Sequence, residues 1–261
     1  MATSTREDSR AEEGQGTGVY VYGIVPGDVE LNPGVHGVGD PPGEIRLVRS
    51  GDLAALVSDV DTAKPLGTPE DLRAHQEILD ATVADAPVLP SRFGAVLTSE
   101  EAVAEELLEA NHDQFTAALE QLEGLAEYIV RGRYDEQAIL EEVLSENSQA
   151  ARLRERIRGA DPDATRELRI QLGEIVNDAI QQKRQADTQR LMSAMKDYCA
   201  DSVAREATSE LDAAYVAFLV EADKADDLKR AVDDLGDSWD GRVELTVRGP
   251  IAPYDFVGNG G

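Results

Sequence analysis

The fold is decided by the stretch AYVAFLVEADKADDLKRAVDDLGDSWDGRVELTVR, residues 214–248. It opens with an aromatic and β-branched run, 214–221, that predicts a buried strand. A short helix follows, with Asp223 as its predicted cap and Gly236 as its predicted end. Residues 242–248 then alternate charged and apolar side chains, as a strand with one solvated face does. The stretch therefore predicts a strand–helix–strand unit.

The residues before this unit complete the second half of the chain. There the patterns predict a strand over 127–134, one helix over 137–158, a helix of about 35 residues from Asp163 or Thr165 to about Ala200, and a weak strand over 203–209. The two helices should form an antiparallel hairpin. The second half then has the order β-α(α)-β-β-α-β, which is that of a ferredoxin-like fold with an enlarged first crossover.

The first half begins with three predicted strands, over 19–25, 44–49 and 53–60. Residues 26–43 hold four prolines and five glycines and predict a long loop. Ser50, Gly51 and Asp52 suit a hairpin turn between the second and third strands.

Helices and one irregular strand follow. Thr68 and Pro69 predict a helix start, and Leu72, Leu79 and Val83 are expected on its buried face. Residues 88–97 predict a strand that Pro90 and Gly94 make irregular. A further helix is predicted from Thr98 or Ser99 to Gly124.

These elements predict an α+β protein of two ferredoxin-like-related modules, the second enlarged by a helical hairpin. The N-terminal residues are polar and charged, which is typical of a disordered tail. The predicted parts are a disordered tail (1–18), an N-terminal α+β domain (19–124), a C-terminal ferredoxin-like domain (125–248) and a docking tail (249–261).

The charge of the chain excludes two classes of partner. It has 52 acidic against 25 basic residues and a formal net charge of −27. Nucleic acid binding needs lysines and arginines against the phosphates, and an anionic membrane surface would repel this protein. An apolar run long enough to span a bilayer is missing from the sequence. The acidity also fits a protein that stays soluble at high concentration.

The sequence offers no pattern for catalysis or metal binding. His36, His75 and His112 lie far apart and are interpreted as solvated residues, and adjacent acidic pairs on helices do not converge on one ion. Cys199 is single and is interpreted as a half-buried helical residue. A phosphate-binding glycine loop and a Gly-x-Ser-x-Gly motif are missing. We therefore expect no catalytic residues, no metal and no cofactor.

Two segments are unusual for an ordinary domain. VLPSRFG, residues 88–94, places a proline, an arginine and an aromatic residue within an apolar strand, which is typical of a bulge or a strand edge. GPIAPYDFV, residues 249–257, is too apolar for a free tail. We expect it to dock either on its own domain or on a neighbour.

Together with the opening Tyr20–Gly23, these segments resemble the gas vesicle protein F/L family. Its pattern has a Tyr-x-Tyr-Gly start, a Leu-Pro-x-Arg-Phe-Gly core (here 89–94) and a Gly-Pro-x-x-Pro-Tyr-x-Phe-Val end (here 249–257). Residues 53–58 also match the family's strand after the Gly-Asp turn. The resemblance extends over about residues 19–257, with the motifs in order.

The resemblance implies an accessory protein of the gas vesicle, a protein-walled, gas-filled organelle that gives cells buoyancy. It implies no reaction, a cytoplasmic and gas vesicle location, and contacts with the small hydrophobic shell protein and other gas vesicle accessory proteins. On this hypothesis the protein helps to nucleate or extend the vesicle wall. The candidate fold-critical or partner-contact residues are Arg92, Phe93, Tyr254 and Phe256.

Two other classes of function remain open at this point. One is a ferredoxin-like domain that binds or converts a small molecule, which requires a cleft with converging polar groups. A deep cleft lined by His75 or His112 and several acids would favour it. The other is a general chaperone-like adaptor, in which the long helix over 165–200 would supply the partner face.

Overall fold

The computed structural model describes residues 16–31 and 36–257. Most of the predicted disordered tail (1–15), part of the long loop (32–35) and the glycine-rich end (258–261) lie outside the described residues. The chain divides into two compact units. The first contains the described residues up to Ala126 together with those from Pro250 onward, and the second is Glu127–Gly249.

The first unit is built on an antiparallel sheet. Its strands are β1 (Thr17–Pro26), β2 (Arg46–Ser50), β3 (Leu53–Asp61), β4 (Leu89–Pro90) and β5 (Val96–Leu97), and its helices are α1 (Pro69–Val83), α2 (Glu100–Ala102) and α3 (His112–Gln121). The strand order is β2-β3-β1-β4, and β5 also pairs with β1. β1 therefore lies at the centre, and its residues from Gly18 to Val25 are buried.

The predicted strand over 88–97 is two short strands instead of one. β4 pairs with Gly23 and Ile24, and β5 pairs with Val19 and Tyr20. Between them the chain loops away from β1, with Gly94 at a φ of 88°. Proline cannot donate a ladder hydrogen bond, and a positive φ suits glycine, so the ladder is interrupted at this point.

The predicted buried face of α1 is wrong in one residue. Leu79 is fully buried, but Leu72 is 50% exposed. The buried residues of this helix are Asp71, His75, Ile78 and Leu79. Two polar residues occupy the inner stripe because both find hydrogen-bond partners there, which a search for apolar spacing alone does not detect.

The helix predicted from Thr98 or Ser99 to Gly124 is interrupted. Ser99 caps α2, the chain continues as a π-helical segment over Val103–Glu109, and α3 completes the run. Gly124 has a φ of 71°, as expected where a helix stops.

The second antiparallel sheet has the strand order β7-β8-β6-β9. The elements in chain order are β6 (Leu125–Tyr134), α4 (Glu136–Glu146), α5 (Ser148–Ile157), α6 (Arg166–Met195), β7 (Asp201–Ala204), β8 (Asp212–Glu221), α7 (Ala225–Asp237) and β9 (Val243–Ile251). The Tyr134 amide donates to the Leu211 carbonyl oxygen, and the Asp135 amide donates to that of Arg242.

Both units combine a sheet with helices. The α+β class predicted from the sequence is confirmed.

The predicted helix over 137–158 is two helices. The Asn147 side chain accepts from the amides of Gln149 and Ala150 and so caps α5, while the Asn147 amide ends α4 by donating to Val143. Asparagine favours a cap because its side chain competes with the helical hydrogen bonds. The strand predicted over 203–209 lies earlier, as β7, because the Asp212 carboxylate accepts from the Thr208 and Ser209 amides and holds that stretch in a turn. Asp223 does not cap α7, which follows a 3-10 turn over Ala222–Lys224 and runs to Asp237, one residue beyond Gly236.

An ion-pair network fastens α4 and α6 to the second sheet. Asp187, which is buried, accepts from Tyr134 Oη at 2.7 Å and pairs with Arg242 at 2.9 Å. Arg242 and Lys183 both pair with Glu142. Because each buried charge has a partner, the network can lie at the junction of β6, β9 and the two helices.

The centre of the first sheet leaves no room for a side chain at Gly23. A Cβ there would lie 2.7 Å from the Leu89 carbonyl oxygen and 2.9 Å from Leu79 Cδ2. We expect Gly23→Ala to lower the free energy of unfolding by about 1–3 kcal/mol. Gly173→Ala, in α6 with nothing within 4 Å, should be neutral or stabilise by up to about 1 kcal/mol. Urea unfolding measures both, and equal effects would contradict the close packing.

Candidate functional site

Five ring side chains pack together in the first unit, and we call them the tyrosine–histidine cluster: Tyr20, Tyr22, His75, Phe93 and Tyr254. The ring centroids of Tyr20 and Tyr22 are 4.8 Å apart, and His75 lies 5.7 Å from each. Phe93 lies 5.6 Å from His75, edge on. The rings come from β1, α1, the loop between β4 and β5, and the C-terminal segment, so the cluster joins four parts of the chain.

His75 is hydrogen-bonded at both ring nitrogens. Nδ1 lies 2.9 Å from Tyr20 Oη, and Nε2 lies 2.8 Å from Tyr254 Oη. Tyr20 Oη also accepts from the Gly94 amide at 3.1 Å. We therefore assign the neutral tautomer in which Tyr20 donates to Nδ1 and the Nε2–H donates to Tyr254, since it gives the fully buried Tyr20 hydroxyl an acceptor and leaves the O–H of the more exposed Tyr254 outside the pair.

The cluster is held in its neutral form. Burial lowers the pKa of His75 from 6.5 to about 4, a shift that the Ser91 backbone offsets in part. Burial also raises the pKa of Tyr20 to about 12 and raises that of Tyr22. Both nitrogens of His75 are engaged, so this histidine offers no lone pair to a metal and no free site for proton transfer.

Tyr22 fixes the glycine-rich loop. Its hydroxyl oxygen accepts from the Val38 amide at 2.8 Å and lies 2.8 Å from Ser58 Oγ. A Cβ on Gly37 would lie 2.6 Å from the same oxygen. The loop can therefore approach this closely only because residue 37 lacks a side chain.

Asp71 joins the same loop to the start of α1. Its carboxylate accepts from the amides of Gly39 at 2.8 Å and of Gly67 and Thr68 at 3.0 Å. Thr68 Oγ1 accepts from the Asp71 amide in return, which completes a capping box. These amides lower the pKa of Asp71 despite its burial, so the carboxylate remains charged.

The C-terminal segment packs into the first unit. Ile251, Ala252 and Pro253 are buried, and Ala252 belongs to the core cluster of this unit. The Ala252 amide donates to Asp80 Oδ1 at 3.2 Å, and Tyr254 reaches His75. Of the two docking alternatives, the structure therefore shows the segment on the unit that also contains β1.

The four candidate residues lie in or beside the cluster. Phe93 and Tyr254 are members, and Tyr254 remains 39% exposed. Arg92 is exposed on the loop before Phe93, and Phe256 is half-buried two residues after Tyr254. Their role as fold-critical or partner-contact residues stays a prediction.

His75 is the residue that the sequence analysis missed. It was expected to be solvated, but it is 4% exposed. Its spacing was the signal available in the sequence. His75 lies three residues before Ile78 and four before Leu79, so all three side chains are on the buried face of α1. What the spacing could not show is that two tyrosines provide partners for a buried imidazole.

The other histidines and the cysteine lie elsewhere. His112 is partly exposed and pairs with Asp52 at 2.6 Å, which raises its pKa. His36 forms an isolated bridge with Glu44. Cys199 is half-buried, and burial raises the pKa of its thiol. Within residues 16–31 and 36–257, His, Cys, Asp and Glu form no group suited to a metal ion.

Comparison with known proteins decides the family. The sequence profile described as "Gas vesicle synthesis protein GvpL/GvpF" matches residues 18–258. The chain belongs to the GvpL/GvpF family. The resemblance seen in the three motifs is therefore confirmed, and two of these motifs supply Tyr20, Tyr22 and Phe93 to the cluster while the third supplies Tyr254.

Similar proteins include members with both family names. Gas vesicle protein F of Streptomyces sp. (strain CB03234) is 36% identical, with 91% of this chain and 98% of that protein covered. Gas vesicle protein L of the same organism is 31% identical, with 92% of each covered. The crystal structure of GvpF from Anabaena sp. PCC7120 has a TM-score of 0.74 at 21% identity, covering 92% of this chain and 98% of that one.

A GvpF crystal structure from Microcystis aeruginosa shares the fold as well, with a TM-score of 0.71 at 19% identity and 92% and 98% of the two chains covered. Among the described residues, the helices are all too short or too polar to cross a lipid bilayer.

The buried His75 predicts a loss of stability in acid. In the unfolded chain His75 has a pKa near 6.5, whereas in the fold it is about 4, so the unfolded state binds more protons in this window. The stabilisation is present above pH 6.5 and is lost as the pH falls towards 4, by about 3 kcal/mol. Denaturant unfolding of the wild type and of His75→Gln across this range measures it.

The matched control is His112→Gln. His112 is partly exposed, and Asp52 raises its pKa, so its contribution to stability is present below pH 6.5 and is lost as the pH rises. His75→Gln should flatten the acid side of the stability curve, whereas His112→Gln should not. An unchanged acid slope in His75→Gln would contradict the assigned neutral state.

Tyr254 should anchor the C-terminal segment through its hydroxyl. Tyr254→Phe keeps the ring but leaves His75 Nε2 without this partner, which we expect to cost about 1 kcal/mol. Tyr198→Phe is the control, because the Tyr198 hydroxyl has no hydrogen-bond partner among the described residues. Thermal unfolding compares the two, and hydrogen exchange at the Ala252 amide should be faster only in Tyr254→Phe.

Proposed function

We propose that this protein is a non-catalytic accessory protein of the gas vesicle that binds the small hydrophobic shell protein and other accessory proteins. In this role it helps to nucleate or extend the vesicle wall. The observation that carries the proposal is the convergence of the three family motifs on one neutral, fully bonded cluster. Residues that hold a fold together in this way supply no nucleophile, acid or base.

The partner would then meet the protein at its surface. Arg92 and Tyr254 are the exposed candidates around the cluster, and Phe93 and Phe256 are half-buried behind them. Tyrosine and arginine are enriched among the residues that dominate binding energy at interfaces. We therefore assign contact to Arg92 and to the exposed part of Tyr254, whose hydroxyl also anchors the C-terminal segment, and support of the fold alone to Phe93 and Phe256.

The charge of the protein supports the same role. A shell protein with apolar surface must stay dispersed until it is placed in the wall. A carrier with a formal charge of −27 repels its own copies and keeps such a complex in solution. We place the protein in the cytoplasm and on the gas vesicle.

For the second unit we propose a ferredoxin-like fold with a helical hairpin in the first crossover, within a domain of about residues 125–248. The strand order β7-β8-β6-β9 supports it. When the four strands of this antiparallel sheet are numbered along the chain, their order across the sheet is 2-3-1-4, which is that of the ferredoxin-like fold. The first unit, over about 19–124 with the docking segment 249–257, would be a more distant α+β relative.

The small-molecule alternative lacks support from the described residues. A groove of about 680 Å³ in the first unit is lined mainly by acidic and apolar residues and by neither His75 nor His112. A second cavity holds only about 40 Å³. Small-molecule sites orient a ligand with a few converging polar groups of different kinds, and this groove presents carboxylates almost alone.

Co-purification with the small shell protein tests the proposal. The tagged protein is coexpressed with that shell protein, and the amount retained is measured for the wild type, Arg92→Ala and Tyr254→Ala. We expect each variant to retain about fivefold less, which corresponds to about 1 kcal/mol of binding energy. Arg230→Ala is the control, because that side chain is 74% exposed on α7 in the other unit.

Circular dichroism on each variant separates lost binding from lost folding. A wild type that retains no shell protein contradicts the function. Full retention by folded Arg92→Ala and Tyr254→Ala contradicts only the contact assignment. Loss of folding in Phe256→Ala would agree with its assigned support of the fold, whereas a variant that both folds and binds normally would remove that assignment.

A further inference from the structure

The first unit carries an open groove with an acidic rim, which we call the acidic groove. Its volume is about 680 Å³, and Leu53 and Leu119 in its lining are buried. Carboxylates of six exposed residues surround this apolar lining, which includes no lysine or arginine among the described residues: Asp28, Glu30, Asp52, Asp85, Glu120 and Glu123.

The groove also contains an unsatisfied polar group. Thr116 lies in its lining, and Thr116 Oγ1 is buried without a hydrogen-bond partner among the described residues. A buried hydroxyl in this state costs free energy, and a donor that enters the groove would recover it. An apolar surface, several carboxylates and an unpaired oxygen together suit an arginine-rich segment with apolar side chains between its charges.

The second unit presents such a segment at the turn between α5 and α6, and we call residues 152–170 the hairpin tip. The hairpin tip contains six arginines and four acidic residues, so its local charge is +2 in a chain whose formal net charge is −27. All six arginines are exposed: Arg152, Arg154, Arg156, Arg158, Arg166 and Arg169.

The arginines of the hairpin tip are available for a partner. The side chains of Arg154, Arg156 and Arg166 make no ion pair or hydrogen bond with the described residues. Apolar side chains lie among them: Ile170 is 53% exposed, and Ile157 and Leu168 are half-buried. The tip therefore combines unpaired positive charge with apolar surface.

We propose that the hairpin tip of one molecule docks in the acidic groove of a second copy, so that the protein self-associates head to tail. Both complementary surfaces lie on the same chain: the groove lining has carboxylates and no lysine or arginine among the described residues, and the hairpin tip has a net positive charge. Charge complementarity of this kind selects the partner and fixes the register of the contact. The contact joins two different surfaces, so an open chain of molecules always has one free groove and one free tip at its ends. Such an assembly either grows as an open chain or closes into a ring in which these two ends meet.

Net charge alone opposes this assembly. Copies of a chain at −27 repel one another, yet repulsion beyond about 10 Å is screened at 0.1 M salt, whereas ion pairs in contact are screened less. The positive charge of the hairpin tip thus allows two molecules to associate when the tip of one meets the acidic groove of the other. Two molecules that meet through other surfaces still repel each other. This inference concerns the purified chain and stands apart from the binding of shell protein.

Sedimentation equilibrium of the purified protein at about 0.1 M salt tests the proposal. The groove variant is Glu120→Lys with Glu123→Lys, and the tip variant is Arg154→Glu with Arg156→Glu. We expect the wild-type average mass to rise with concentration, and the association constant to fall about tenfold or more in either variant. A variant with both reversals, or a mixture of the two variants, should recover association.

The control is Asp233→Lys with Asp234→Lys, two exposed residues of α7. It changes the net charge by the same amount as the groove variant and reduces general repulsion, so it should associate as strongly as the wild type or slightly more. A wild type that stays monomeric at every concentration overturns the proposal. So does a groove or tip variant that behaves like the control, or a double reversal that does not recover association.

Discussion

The fold of the first unit depends on one buried imidazole. His75 lies between Tyr20 of the central strand and Tyr254 near the end of the chain, and each of its nitrogens has a partner. A buried imidazole without those partners would carry the full cost of its desolvation, about 1–3 kcal/mol for each unpaired group. The cluster is therefore stable only when the strand, the helix and the C-terminal segment are all in place, which makes their assembly cooperative.

This dependence explains the path of the chain. The first unit takes residues up to Ala126 and then again from Pro250, so it is complete only when the chain returns to it after the second unit. β9 belongs largely to the second sheet and leads directly into the buried residues Ile251–Pro253. Closing so long a segment costs entropy, and the burial of the apolar residues after it, together with the Tyr254 hydrogen bond, offsets that cost.

Sequence reasoning recovered what depends on local pattern. The strand-and-helix order of both halves followed from side-chain periodicity and caps, and the three motifs identified the family. What depends on distant partners is not predicted: the sequence indicates a solvated His75 and a buried Leu72, because apolar spacing takes no account of hydrogen bonds made by residues 50 or more positions away. Asn147 is a local miss, since its tendency to cap could have divided the predicted helix before the structure showed it.

The arrangement of charge follows from the same division between inside and outside. Burial holds His75, Tyr20 and Tyr22 neutral, and Asp71 keeps its charge only because backbone amides surround it. These ionisable groups of the first unit are therefore held in fixed charge states by their surroundings, and we propose that recognition takes place at the surface. On a surface so acidic, an exposed apolar groove or a cluster of arginines is informative because either one departs from the charge of its surroundings. The proposed self-association of this protein rests on those departures, whereas the proposed accessory role rests on the cluster that the family motifs form.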